Sequence, residues 1–354
     1  MKKLQDFKDS IHKCSKCGLC QAECPVYKIT GNDCTVSRGQ FIMLKGILDG
    51  DLKMTKNINR YLDLCLKCGA CSKFCPSGID VVDVIEVAKS EYFRASKWEK
   101  LKAIVRKRII FGFIPNFISK FFPRTKSQTF ERKVLYFGGC GSKFKGDKSV
   151  VKLLNKIGVE VINPIFPCCG IPSLVHGDLE SFNHCIERFV KILKQYEIKE
   201  IVTTCASCEK TLKDYIRWTD SDETKEVLSD LKVQNIFEYL KDVKLSLKKP
   251  AKVTFHKPCN INNFSDIEQI LKNTENLEYI EMKDFDKCCG LNGLSKFKEY
   301  KIMSKIFKSK RDNIINSKAD YVLTSCLGCE TALRFYSLNA YKVADLADFL
   351  AERV

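Results

Sequence analysis

The chain has 354 residues, 45% of them hydrophobic, which suits two or three globular domains with sizeable cores. A formal net charge of +17 raises nucleic acid or an anionic membrane as partners, but no recognition motif accompanies the charge, and nucleic acid is set aside. Twenty cysteines are the outlying figure; the basic N-terminus MKKLQDFKDSIHKC has no apolar run behind it, so no secretory signal is expected, and the cysteines read as metal ligands or redox groups of a reducing compartment rather than as disulfides.

Along the chain, Cys14-x2-Cys17-x2-Cys20-x3-Cys24-Pro25 comes first, and Cys65-x2-Cys68-x2-Cys71-x3-Cys75-Pro76 follows. Three thiolates at i, i+3 and i+6 wrap one cubane in a tight loop, while the fourth, followed by proline, turns to the other cluster. That offset predicts one [4Fe–4S] cluster on Cys14, Cys17, Cys20 and Cys75, and a second on Cys65, Cys68, Cys71 and Cys24. Paired zinc sites are the competing reading, although tetrahedral zinc takes four local ligands. The 40 residues between the runs contain SRGQFIMLKGILDG and KNINRYLDL, both with helical apolar spacing. Residues 1–95 therefore resemble the α-helical two-cluster ferredoxin module of multisubunit dehydrogenases. Cys34 lies in the loop before the first of these helices, has no partner at ligand spacing, and reads as a bystander.

Residues 96–132 read as a basic amphipathic connector. The stretch 97–133 holds eleven Lys or Arg against two Glu, interleaved with Trp98, Leu101, Ile104, Ile109, Phe113, Phe117, Phe121 and Phe122. A linker packing its aromatic side on its neighbours is the favoured reading, and a helix lying on a membrane surface is the other. The apolar run at 109–119, IIFGFIPNFIS, falls short of the roughly 20 residues that span a bilayer. A cytoplasmic location is expected, with peripheral contact to the inner face of the membrane left open.

Three landmarks then occur twice. KVLYFGG precedes Cys140 and KVTFHKP precedes Cys259. Cys168-Cys169-Gly170 matches Cys288-Cys289-Gly290. EIVTT precedes Cys205-x2-Cys208, and DYVLTS precedes Cys326-x2-Cys329. The offsets of 119 to 121 residues indicate an internal duplication, with copies at 133–250 and 251–354. Each copy reads strand, Cys, helix, strand, CCG, helix, strand, CxxC, helix, which implies a mainly parallel sheet with its cysteines past the C-terminal ends of the strands. Neighbouring cysteine side chains point apart, so a vicinal pair suits a metal cluster better than a core or a disulfide. Cys205 and Cys326 open helices, where the helix N-terminus favours thiolate. His256, three residues before Cys259, reads first as strand-end packing and second as a ligand or proton donor. Cys185, on SFNHCIERFVKIL, reads as a small core residue.

This pattern is similar to the cysteine-rich CCG domain family. That family includes iron–sulfur subunits of glycolate oxidase and of anaerobic glycerol-3-phosphate dehydrogenase, lactate-utilisation proteins, and the catalytic subunit of heterodisulfide reductase. The resemblance implies an α-helical ferredoxin domain followed by two duplicated α/β, parallel-sheet, Rossmann-like domains. It further implies a five-cysteine, non-cubane [4Fe–4S] cluster on Cys140, Cys168, Cys169, Cys205 and Cys208. A second such cluster falls on Cys259, Cys288, Cys289, Cys326 and Cys329, with zinc or an incomplete site in one copy as the rival. The chain has no GxGxxG, and GGCGSKF at 138–144 lacks the third glycine, so no flavin or nicotinamide site of its own is read. By resemblance the chain would carry electrons from an FAD-binding partner that oxidises a 2-hydroxy acid to an acceptor such as quinone. The alternatives are a subunit that reduces a disulfide at a CCG cluster and a glycerol-3-phosphate dehydrogenase C-type subunit.

Overall fold

A computed structural model describes residues 2–106, 124–141, 146–261, 263–291 and 299–354. They fall into two compact units. One comprises Met1–Ile104, Pro172–Phe182 and Cys288–Ser309; the other comprises Val105–Ile171, Asn183–Lys287 and Lys310–Val354.

The first unit is helical. The two predicted helices form at Ser37–Leu48 and Lys56–Asp63, the second started by Thr55, whose side chain accepts a hydrogen bond from the Ile58 amide. They pack with the helix Val81–Ala95 around Leu44, Leu62, Val84, Ile85 and Ala88, all fully buried. Gly39 lets the first of them lie against the preceding turn, since a Cβ there would meet the Asp33 carbonyl oxygen at 2.1 Å. Cys34 sits half-buried in that turn, Asp33–Thr35, and its amide donates to Asn32 Oδ1 at 2.9 Å. Two buried lysines are paired within this unit, Lys67 with Glu86, and Lys89 with Asp63 at 2.5 Å.

The connector begins as the helix Lys97–Arg106. Its apolar side does not pack as expected: Trp98 is 65% exposed, Leu101 50% and Ile104 51%, while Ala103 is buried. The stripe at i, i+3 and i+6 lies on the face turned away from Ala103, so the helix buries its small residue instead. The remaining apolar connector residues, 109–122, lie outside the described residues. Among the described residues, no helix is long and apolar enough to cross a membrane.

The second unit holds the duplication as two four-stranded, all-parallel sheets. Strands β1 (Arg132–Tyr136), β2 (Val159–Ile162), β3 (Glu200–Thr203) and β4 (Lys232–Asn235) are ordered β2-β1-β3-β4. Strands β5 (Ser246–Phe255), β6 (Glu275–Tyr279), β7 (Tyr321–Thr324) and β8 (Lys342–Asp345) repeat that order as β6-β5-β7-β8. The central strands are apolar runs, as strands covered on both faces must be: Val134, Leu135, Val253, Phe255, Val322 and Leu323 are fully buried. One apolar core joins the two sheets, with Val134, Val202, Phe237, Phe255, Leu323, Leu346 and Phe349 in a single cluster.

The fourth strand of each copy goes beyond the elements read from sequence. Its signal is the pair LKVQNIFEYL and YKVADLADFL, in which a short strand runs straight into a helix. Asn235 and Asp345 cap those helices, Asn235 through a capping box with Glu238, and Asp345 by accepting from the Ala347 and Asp348 amides. The pair escapes the cysteine offset because the first copy inserts an extra helix, Asp222–Ser229.

Candidate metal centres

The two N-terminal cysteine loops fold alike. Each reads Cys-x-Lys-Cys-Gly-x-Cys, with left-handed backbone at Lys16 (φ 58°) and Lys67 (φ 55°) and again at Gly18 (φ 85°) and Gly69 (φ 72°). Such a loop turns successive thiols toward one point. Cys14, Cys17, Cys20 and Cys75 line one cavity, and Cys24, Cys65, Cys68 and Cys71 line a second. Ser37, Cys71 and Val81 line both, so the cavities are neighbours. Cys34 lines neither.

Among the described residues no carboxylate or imidazole lines either cavity, but Lys16 and Arg38 line the first and Lys67 the second. This donor set fits an anionic thiolate cluster. The thiols themselves make the same point. Burial pushes Cys24 up to about 11, and the neighbouring Cys65 and Cys68 add to the rise. Burial raises Cys71 as well, followed by the same two neighbours. Thiols so placed keep their protons until a cation takes their place. Amide hydrogen bonds already point at two sulfurs, from Tyr27 to Cys24 Sγ (3.5 Å) and from Lys67 to Cys65 Sγ (3.4 Å).

In the sheet unit, the five cysteines of the first copy are brought together. They stand past the ends of β1, β2 and β3, and Cys205 is the N-cap of the helix Ala206–Trp218. Thiol hydrogen bonds join Cys140 to Cys168, Cys168 to Cys169, Cys208 to Cys169 at 3.6 Å, and Cys208 to Cys205. Gly170, after the vicinal pair, is left-handed at φ 79°, and so is Gly290 in the second copy. Behind the thiols, Phe137, Phe166 and Phe189 pack ring on ring, and Tyr215 Oη donates to the Cys169 carbonyl at 2.9 Å. Hydrogen bonds from Cys168 and then Cys208 hold the Cys169 thiol down at about 6. Cys140 is pushed well up by the hydrogen bond it donates to Cys168 and by burial. One ionised sulfur among protonated neighbours is what a buried group sustains alone; a metal cluster would hold all five as thiolates.

The thiol chain continues into the second copy. Cys326, held well below the usual thiol range, accepts from Cys205 and from Cys329. Ser207 Oγ lies 3.2 Å from Cys326 Sγ and accepts a 3.0 Å hydrogen bond from Asn260 Nδ2. The Ala206 amide donates to the Ser325 carbonyl at 2.8 Å. Sequence spacing does not point to Ser207 or Asn260; the one available signal is that Ser207 sits inside the first CxxC, where the second copy has Gly328.

The remaining second-copy cysteines differ in environment. Cys259 is exposed, Cys288 is half-buried and Cys289 is buried. The Gly290 amide donates to Cys288 Sγ at 3.4 Å, and Cys288 shares an apolar cluster with Cys24, Val26, Leu66 and Met303. Residues 292–298, just after this CCG, lie outside the described residues. His256 is fully buried at the end of β5, and its ring lies within 4.8 Å of Cys329 Sγ. Burial, and then the charge of Lys310, push its imidazole down to about 3, which leaves it neutral. Cys185 is half-buried on the helix Leu179–Leu193.

Comparison with known proteins agrees with this anatomy. Residues 10–79 match the 4Fe–4S dicluster domain, and residues 134–213 and 253–334 each match the cysteine-rich CCG domain. The chain is an iron–sulfur protein in which a dicluster domain for two [4Fe–4S] clusters precedes two CCG domains. It is 23% identical to the probable glycolate oxidase iron–sulfur subunit of Bacillus subtilis, over 93% of this chain and 91% of that one. It is 27% identical to a component of the CoM/CoB fumarate reductase of Methanothermobacter marburgensis, over 98% and 74%. It is 22% identical to a component of the dihydromethanophenazine:CoB–CoM heterodisulfide reductase of Methanosarcina acetivorans, over 91% and 88%.

Proposed function

We propose that this chain is the electron-transfer subunit of a multisubunit oxidoreductase and carries electrons through four metal centres. The cubane ligand sets are those of the cysteine spacing, Cys14, Cys17, Cys20 and Cys75, and Cys65, Cys68, Cys71 and Cys24; the two five-cysteine CCG sets are those the family resemblance implies. The observation that carries the reading is the continuity of these sulfurs. The two cubane cavities share Cys71, Cys24 and Cys288 share one apolar cluster, and Cys205 touches Cys326. Each unit thus carries its own run of sulfurs, from the first cubane cavity to the second in the helical unit and from Cys326 to Cys205 in the sheet unit.

When bound, the clusters supply one-electron chemistry; the chain orients them, excludes water and sets their potentials through amide–sulfur hydrogen bonds and burial. The glycolate oxidase relative supports a flavoprotein partner that oxidises a 2-hydroxy acid, with quinone as an acceptor at the membrane surface. The exposed Trp98, Leu101 and Ile104, on a helix that also carries Lys97, Lys100 and Lys102, support the surface contact.

A second reading, reduction of a disulfide at a CCG centre, is favoured by a cavity beside Cys140, Cys205 and Cys208. Its volume of about 50 Å³ holds only a few waters, and Asp147, Glu330, Asp345 and Asp348 line it. Those carboxylates disfavour an anionic substrate there, which leaves electron transfer ahead.

The test is iron, zinc and acid-labile sulfide per chain after strictly anaerobic purification, with EPR on the same sample. About 16 iron atoms per chain supports four centres. About 8 iron atoms with zinc would confine electron transfer to the dicluster domain and make the CCG half a zinc-bearing platform. Co-purification of a flavoprotein with hydroxy-acid dehydrogenase activity supports the partner, and disulfide reductase activity of the isolated chain supports the second reading.

A further inference from the structure

The two CCG copies differ at one position in a way the cysteine pattern does not explain. The end of β1 and the residue after it read Leu135, Tyr136 and Phe137; at the same places β5 and the residue after it read Thr254, Phe255 and His256. Phe137 is fully buried against Phe166 and Phe189 and asks for nothing polar. His256 is as completely buried; its ring faces the Phe285 backbone, but neither Nδ1 nor Nε2 reaches hydrogen-bond geometry with a partner among the described residues. Its backbone is held in place, the amide donating to the Leu323 carbonyl at 2.8 Å. Around it, Thr254 Oγ1, Thr324 Oγ1 and Ser325 Oγ are likewise fully buried without partners.

These four orphaned polar groups gather at the C-terminal ends of the adjacent strands β5 and β7, where Cys326 and Cys329 follow. Buried polar groups are paired in nearly every folded protein, so such a concentration needs something to pair with. The first copy has no counterpart: Leu135 and Phe137 are apolar, and Thr203 Oγ1 accepts from the Cys205 amide at 3.3 Å.

We infer that His256 is a nitrogen ligand of the second CCG centre, acting with Cys329, so that the two duplicated centres differ in kind. The first is an all-sulfur site and the second a mixed nitrogen–sulfur site. This rests on the reading that the second CCG motif holds a metal. A neutral imidazole removes negative charge from a cluster relative to a thiolate, and histidine in place of cysteine raises the potential of an iron–sulfur centre. The second centre would then sit at a higher potential than an all-thiolate one. The exposed Cys259, in the same copy, is the thiolate such a nitrogen would stand in for.

The experiment uses the full-length, anaerobically purified protein labelled with 15N-histidine, and measures pulsed EPR and the metal K-edge absorption. The expected result is a strongly coupled histidine nitrogen on one centre of the wild-type protein and nitrogen in the metal shell. The His256→Phe variant, which installs the residue of the first copy, should lose that coupling. It should also lower the midpoint potential of one centre and leave the other signals in place. An all-sulfur shell with no histidine coupling in the wild type overturns the inference without any variant, and so does a coupling that survives in His256→Phe. The underlying reading fails separately. Zinc with a His256 nitrogen at about 2.0–2.1 Å beside sulfur at about 2.3 Å would keep the ligand and remove this centre from the electron route. Iron in an all-sulfur shell would keep the route and remove the ligand.

Discussion

The loops Cys14–Cys20 and Cys65–Cys71 are near copies in sequence and in backbone, left-handed at the same lysine and the same glycine. Their surroundings are opposite. Lys16, Cys17 and Leu19 are exposed, whereas Lys67 is 7% exposed in its side chain and paired with an equally buried Glu86. The first loop is thus the wet edge of the dicluster domain. The second is more enclosed, flanked by the buried Leu64 and Leu66, with Cys65 and Cys71 packed on the cluster that contains Leu44, Leu62 and Val84. A short motif therefore shapes a ligand cage but does not set its dielectric. Cages of the same local form can hold clusters of different potential, because burial and nearby charge are supplied by elements far away in the chain.

The largest effect on this contrast is expected from Glu86→Gln, which keeps the volume but leaves the Lys67 ammonium buried without its partner. Folded stability should fall by about 3–5 kcal/mol in chemical denaturation. Lys16→Met, at the exposed equivalent, should stay within about 0.5 kcal/mol of wild type. Equal effects would mean that the buried ion pair is not what separates the loops.

Cys14→Ala and Cys65→Ala sharpen the contrast at the level of the metal. Each should remove about four iron atoms per chain and a different EPR signal. Loss of both signals from either change would show that the cavities do not load independently. Further from the loops, Cys168→Ala should abolish one C-terminal centre and leave both cubane signals; disappearance of a cubane as well would contradict the modular arrangement. The smallest effect belongs to Cys34→Ala. This thiol lines neither cavity, so metal content and spectra should match wild type, and a missing centre would make it a ligand after all.

Much of the site was legible in the amino-acid order. The two cysteine runs, their proline-marked fourth members and the repeated CCG and CxxC motifs are all local signals, and the cysteines line the cavities and strand ends where such signals belong. Less legible were β4 and β8, whose four-residue strands run directly into capped helices and show no alternation long enough to register. The connector misled for another reason. An amphipathic stripe states that one face is apolar, but Trp98, Leu101 and Ile104 remain exposed because nothing in a single helix specifies which neighbour covers it.

Which residue types recur at which intervals is written in the chain itself, and from it follow the ferredoxin run, the duplication, the parallel sheets and the candidate ligands. Periodicity and spacing act over a few residues, within the reach of backbone geometry. Four further facts exist only in the folded molecule: Cys205 meets Cys326, Cys24 shares a cluster with Cys288, Lys67 is buried while Lys16 is wet, and His256 is buried with neither ring nitrogen in hydrogen-bond geometry among the described residues. Each of those depends on elements distant in the chain packing to near-crystalline density, which brings together side chains that no local pattern relates.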